Sequence, residues 1–246
     1  MLATPVEPTP ETTVKRSSLW DLLWYILCGF GLFTAAGTLL GLWLHDEAGS
    51  LLFSVLVYVS NVLFLGGTAL VLGAGRGKFT LAEIGLVPPR WRWTWLAVAV
   101  GLVLLLLPVR GGLGLLVEYL LNGNLDSLAA RSQLIQPAGT DALSFGLTLL
   151  FVGILVPISE ELFFRGAIFT VLRDHWPVWA AVLVSSALFG LGHADSLGVV
   201  NAIAFEKTRS IWVPVAIHAA NNSLAIILVY LAAYLAKMLP ALPALP

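Results

Sequence analysis

Charge is scarce in this sequence. Only 11% of its 246 residues are Asp, Glu, Lys or Arg, where a soluble domain carries about 25%. The 13 basic side chains against 14 acidic ones leave a net charge of -1, so there is no basic footprint and no nucleic-acid partner is expected. Cysteine is nearly absent too. Cys28 stands alone, which rules out an intramolecular disulfide and a cysteine-built metal cage; inside an apolar helix it is a small packing residue. Hydrocarbon fills the space that charge leaves: 59% of residues are hydrophobic and the mean hydropathy is +0.92. Such a composition predicts an all-α, polytopic integral membrane protein, a bundle of about six to eight transmembrane helices with the bilayer as its surroundings.

The apolar runs give the organisation. Residues 1–18 are rich in Pro, Thr and Glu and are expected to form a disordered tail rather than a cleavable signal. Spans follow at Leu19–Leu44, Leu51–Gly73, Trp93–Leu121, Ala142–Leu172, Pro177–His193 and Ile211–Met238; a crossing needs roughly 20 residues, which all but the shorter Pro177–His193 exceed. We divide them into N-terminal membrane helices (19–140) and a helical core (141–238), followed by a Pro-rich end (239–246) that cannot continue a helix. Lys15, Arg16, Arg76, Lys78, Arg90 and Arg92 flank the first two cytoplasmic candidates, whereas the 45–50 loop has no Lys or Arg. The N-terminus is therefore expected to be cytoplasmic. Only 12 residues separate His193 from Glu206, or about 18 Å of helix, so this stretch is expected to be a short buried crossing or a re-entrant segment.

Three polar clusters interrupt the apolar core: Glu160-Glu161-Leu-Phe-Phe-Arg165, Phe189-Gly-Leu-Gly-His193 and His218-Ala-Ala-Asn-Asn222. An ionisable group at the bilayer centre costs about 2.5–3.5 kcal/mol on insertion scales, so this concentration calls for chemistry. Glu161 and Arg165 are one helical turn apart and can pair, while Glu160 points about 100° away and can be left facing a cavity. His218 and Asn222 share a face, as do Phe189 and His193. Pro157 frees a backbone carbonyl and lets its helix bend near Glu160. Helix rise places Glu160, His193, His218 and Asn222 at depths of roughly 12 to 26 Å, compatible with a common site near mid-membrane.

In this order and on successive membrane helices, Glu-Glu-x-x-x-Arg, Phe-x-x-x-His and His-x-x-x-Asn resemble the CPBP intramembrane protease family. That family includes the Ras-converting-type CAAX prenyl endoproteases and bacterial relatives linked to bacteriocin processing and immunity. The resemblance covers about 140–230; Glu206-Lys-Thr-Arg-Ser-Ile-Trp-Val-Pro214 and the Phe79–Pro89 loop also fit it. The chain departs from the family in being about one helix shorter between the second motif and Glu206.

Peptide hydrolysis needs a water, a base to activate it and donors for the oxyanion. Glu160 suits the base. His193 suits sharing that proton or binding a metal, and His218 and Asn222 suit donation to an oxyanion. Glu161, Arg165 and Phe189 are supporting residues, with Asp195, Asn201, Asn221 and Ser223 as further polar candidates. The resemblance implies the same division: Glu160 with His193 on the water, His218 with Asn222 on the oxyanion. A divalent metal such as zinc stays open, with Glu160, His193 and His218 the residues that would hold it. The expected substrate is a membrane-associated peptide or protein, prenylated if the CAAX analogy carries over. The alternative is a non-catalytic membrane binding or immunity factor using the same cavity.

Overall fold

The computed structural model describes residues 16–89, 139–193 and 197–238, with scattered positions between 97 and 123; the side chains of 191–193 lie outside it. Most of the expected Trp93–Leu121 span, residues 1–15 and 239–246 also fall outside the described residues. Among the described residues there is no strand. The main helices are α1 (Leu19–Trp43), α2 (Leu51–Ala74), α3 (Ala142–His175), α4 (Val178–His193), α5 (Leu197–Thr208) and α6 (Trp212–Met238). α1, α2, α3 and residues Trp212–Leu235 of α6 are long and apolar enough to cross a membrane. The protein is a multi-pass integral membrane protein.

Local chemistry sets the ends. Ser18 caps α1 reciprocally with Asp21: its hydroxyl accepts from the Asp21 N–H, and its own N–H donates to the Asp21 carboxylate at 2.7 Å. Ser50 caps α2, and Asp141 caps α3 by accepting from Leu143 and Ser144. Each cap satisfies donors that a helix start otherwise leaves unpaired, typically worth about 1 kcal/mol.

α3 is 34 residues long, about 50 Å, and its hydrogen bonding alternates. Phe151–Leu155 and Leu162–Phe169 have wide i→i−5 turns, with an α-helical interlude at Val156–Glu161 that carries both glutamates. Pro157 has no N–H, so the carbonyls one wide or one ordinary turn earlier lose their helical partner. α6 supplies substitutes: Asn222 Nδ2 donates to the Val152 carbonyl at 3.1 Å and Ser223 Oγ to that of Gly153 at 3.5 Å. A proline break is tolerated in a membrane helix when a neighbour re-satisfies the freed groups in this way.

α4 and α5 form an antiparallel hairpin. Gly198 lies against Ser186 at one level, and Glu206 meets Arg173 of α3 at 3.3 Å at the other. At 12 residues, or about 18 Å, α5 is too short to cross upright. It rises from the interior beside Arg165 and ends at the Arg173 level. The 79–89 loop seals this end, the buried Ser210 donating to the Val87 carbonyl at 2.9 Å and Ile211 N–H to that of Gly85 at 3.0 Å. Gly85 has φ +80, and a Cβ there would lie 2.4 Å from the Phe205 ring, so both backbone and space demand glycine.

The buried core is aromatic around α3: Phe163, Phe164, Phe169, Phe189 and Phe205 are almost fully enclosed. Lipid is as apolar as these rings, so close packing and buried polar contacts hold such helices together more than hydrophobic transfer does. Outward faces are apolar as well, with Leu42, Trp43, Leu63, Trp179 and Leu231 exposed.

Candidate active site

Four helices deliver polar side chains to one place. Glu160 and Glu161 come from α3, Asn61 from α2, Asn201 from α5 and His218 from α6, while Phe189 of α4 supplies an aromatic wall. All six are buried. Asn61 and Glu160 lie near the middle of their helices, so the cluster sits deep in the bundle.

Glu161 is the hub. Its Oε2 lies 3.1 Å from Arg165 Nε, the expected i,i+4 pair. Its Oε1 accepts from Asn201 Nδ2 at 2.8 Å and lies 2.9 Å from His218 Nδ1. Arg165 is fully enclosed. It donates through Nη2 to the Gly198 carbonyl at 3.0 Å and lies 4.6 Å from the centroid of the Phe189 ring. That ring meets the His218 imidazole edge-on at 5.6 Å. Phe189 is thus held between a guanidinium and an imidazole, in a cation–π contact that desolvation strengthens.

Glu160 has different partners. Its Oε1 accepts from Asn61 Nδ2 at 3.0 Å, and its Oε2 faces His218 Nε2 at 3.7 Å. His218 therefore bridges the carboxylates, Nδ1 on Glu161 and Nε2 towards Glu160. When Nδ1–H donates to Glu161, Nε2 carries the lone pair, a tautomer set by the hydrogen bond itself.

The structure brings Glu160, Glu161, Arg165, Phe189 and His218 together. Asn222 shares a face of α6 with His218, as its spacing predicted, but spends one N–H on the Val152 carbonyl while its Oδ1 accepts from Asn221 at 3.2 Å. His193 is the last residue of α4, four positions after Phe189, and its side chain and Asp195 lie outside the described residues. Among the described residues no group of three or more His, Cys, Asp or Glu is placed to hold a metal. An apolar groove of about 430 Å³ between α1 and α2, lined by Leu40, Trp43, Val59 and Phe64 among others, contains none of the cluster.

Sequence reasoning missed Asn61 and Ser159. Ser159 Oγ donates to Asn61 Oδ1 at 2.7 Å, so both belong to the Glu160 environment. The one available signal was a lone carboxamide midway along an otherwise apolar span. Close approach of the helices makes the contact: a Cβ on Gly66 would come within 3.2 Å of Ser159 Cβ.

Residues 142–224 match the model of the family described as Rce1-like, type II CAAX prenyl endopeptidase Rce1-like. The match takes in about a third of the chain, which is similar to the core of that family over this stretch. The matched segment contains every residue of the three motifs, and Asn61 lies outside it. A Bacillus subtilis (strain 168) protein named "Putative membrane peptidase YdiL" is 33% identical over 90 residues, 33% of this chain and 37% of that protein. An Escherichia coli protein named "Uncharacterized 24.3 kDa protein" is 29% identical over 94 residues, 33% of this chain and 43% of its own length. The similarity thus spans less than half of either relative. No solved structure matches the chain.

Proposed function

We propose that this chain is an intramembrane endopeptidase that hydrolyses a peptide bond at or near the bilayer, in the manner of CAAX prenyl endopeptidases. The observation that carries this reading is the buried carboxylate pair with divided duties. Glu161 is committed to Arg165, Asn201 and His218. Glu160 turns Oε2 towards His218 Nε2 across 3.7 Å, a spacing that lets one water, about 2.8 Å from each, bind both.

Glu160 is the general base. It takes a proton from that water with His193 as its partner, and the water oxygen forms a bond to the peptide carbonyl carbon. The carbonyl electron pair moves onto its oxygen. His218, when both ring nitrogens carry a proton so that Nδ1–H stays on Glu161 and Nε2–H is turned to the substrate, and the second N–H of Asn222 donate to that oxyanion. The C–N bond then breaks as Glu160 returns its proton to the amine. Glu161 holds His218 in orientation throughout, and Arg165 offsets the Glu161 charge.

The donor set also suits a divalent metal such as zinc. Glu160 Oε2 and His218 Nε2 at 3.7 Å can both reach one ion at about 2.1 Å, and Glu161 on Nδ1 is the kind of outer partner that such histidines carry. Glu160, His218 and His193 would hold it, and it would supply Lewis-acid polarisation of water and carbonyl. This is the form in which the metalloprotease label would apply.

We place the Arg16, Arg76, Lys78, Arg173, Lys207 and Arg209 end in the cytoplasm, with the N-terminus there, because basic loops stay on that side. The test compares wild type with Glu160→Gln, both folded in liposomes, on a prenylated CAAX peptide, its unprenylated twin and a pool of membrane proteins. New termini made by wild type alone support the reading and show whether the prenyl group matters. Equal cleavage by both proteins refutes the role of Glu160. A cellular effect that survives Glu160→Gln with no cleavage by either protein replaces the reading with the binding or immunity factor.

A further inference from the structure

Asn61 lies 99 positions from Glu160 in sequence and outside the matched family segment, yet its side chain touches the proposed base directly. A carboxamide has one acceptor oxygen and one donor nitrogen, and which end faces which neighbour follows from the hydrogen bonds around it. Here the neighbours decide. Ser159 Oγ lies 2.7 Å from Asn61 Oδ1, and the Ser159 hydroxyl also has the Val156 carbonyl within 2.9 Å. With its hydrogen on Asn61 Oδ1, Ser159 commits that oxygen to accepting and turns Nδ2 towards Glu160 Oε1 at 3.0 Å. The flipped amide would set two acceptor oxygens against each other at the ionised carboxylate.

We infer that Asn61, locked by Ser159, is a positioning residue for Glu160: it holds Oε1 as a permanent acceptor and leaves proton exchange to Oε2. The inference rests on the proposed role of Glu160 as base. Its chemical content is specific. A carboxylate has two equivalent oxygens in water, and a base that accepts on the wrong one must rotate before it can return the proton to the amine. Oε1 is covered by an N–H donor, so the proton goes to Oε2, the oxygen that faces His218. No bond within Asn61 or Ser159 is made or broken during the cycle. Asn61 and Ser159 are 6% and 2% exposed, so bulk water does not compete for these bonds, and Gly66 permits the helix approach on which they depend.

The experiment uses the full chain in liposomes with three variants: Asn61→Leu, which keeps the volume and removes the donor; Ser159→Ala, which leaves Asn61 in contact but unlocks it; and Glu160→Gln as reference. The Glu160 carboxyl stretch is isolated as the infrared difference between wild type and Glu160→Gln. It is expected to move in Asn61→Leu and to broaden in Ser159→Ala. Turnover is expected to fall about 10- to 100-fold in Asn61→Leu, with KM within about twofold, since a base slightly misplaced loses rate before binding. An unmoved band with unchanged kcat in Asn61→Leu overturns the inference. Should Asn61→Leu fail to fold, the Ser159→Ala band decides: broadened supports the lock, unchanged rejects it. Full activity of Glu160→Gln would instead sink the base assignment, whatever the infrared band of Asn61→Leu shows.

Discussion

Replacing Arg165 by Met tests the buried charge arrangement on which the site depends. Arg165 Nε and Glu161 Oε2 are 3.1 Å apart, and both side chains are 0% exposed. At an effective dielectric of about 20, two unit charges at that separation attract by about 5 kcal/mol. Much of this is offset by the cost of taking both charges out of water, so the intact pair adds little net stability. Removing one partner is different, because Glu161 is left charged and enclosed: about 3–5 kcal/mol is lost. The contact with Phe189 adds to this, about 2 kcal/mol for a desolvated cation over a ring. Arg165→Met should therefore destabilise by at least about 3 kcal/mol, while Glu161→Gln combined with Arg165→Met, which removes the orphan charge, should recover part of that loss. The assay is reversible unfolding in mixed detergent micelles, followed by circular dichroism as a double-mutant cycle. A single variant within about 1 kcal/mol of wild type, the range of an exposed pair, would refute the reasoning.

Three further outcomes follow from particular contacts. Gly85→Ala forces a Cβ to within 2.4 Å of the Phe205 ring at φ +80, and should cost more than about 1 kcal/mol in the same unfolding assay. Gly66→Val pushes α2 away from Ser159 and should cost about 1–3 kcal/mol by overpacking, while lowering turnover because Asn61 leaves Glu160. Hydrogen bonds from Ser144, foremost its hydroxyl, hold the Asp141 carboxyl below the usual carboxylate range. A depressed folded value stabilises above the unfolded carboxylate value and is lost as pH falls through the folded one. Amide exchange at Leu143 and Ser144 should thus lose protection on acidification below about pH 4, and Asp141→Asn should remove that pH dependence.

Much of the architecture is written in one-dimensional patterns. Among the described residues the span limits came within a few residues because a bilayer fixes the length of an apolar run, and the Glu161–Arg165 pair followed from one helical turn. The short stretch before Glu206 also read correctly as too short to cross upright. Contacts between helices were less accessible. Helical spacing tells which residues share a face, not which helix that face meets, so Asn61 could not be joined to Glu160 nor Asn201 to Glu161. The wide turns in α3 add to this, since they shift the faces that a 3.6-residue period assigns. Asn222 illustrates a further gap: its spacing relative to His218 was evident, but its bond to the Val152 carbonyl exists only because Pro157, on another helix, left that oxygen without a partner.

In the proposed reaction, water activated at Glu160 hydrolyses a peptide bond inside this bundle. The direct measurement is cleavage in ¹⁸O-labelled water by wild type and by Glu160→Gln matched for folding, with the new carboxyl terminus weighed by mass spectrometry. Wild type should place one ¹⁸O atom in each new terminus, and Glu160→Gln should make no product. Labelled product at an undiminished rate from Glu160→Gln would contradict that reaction.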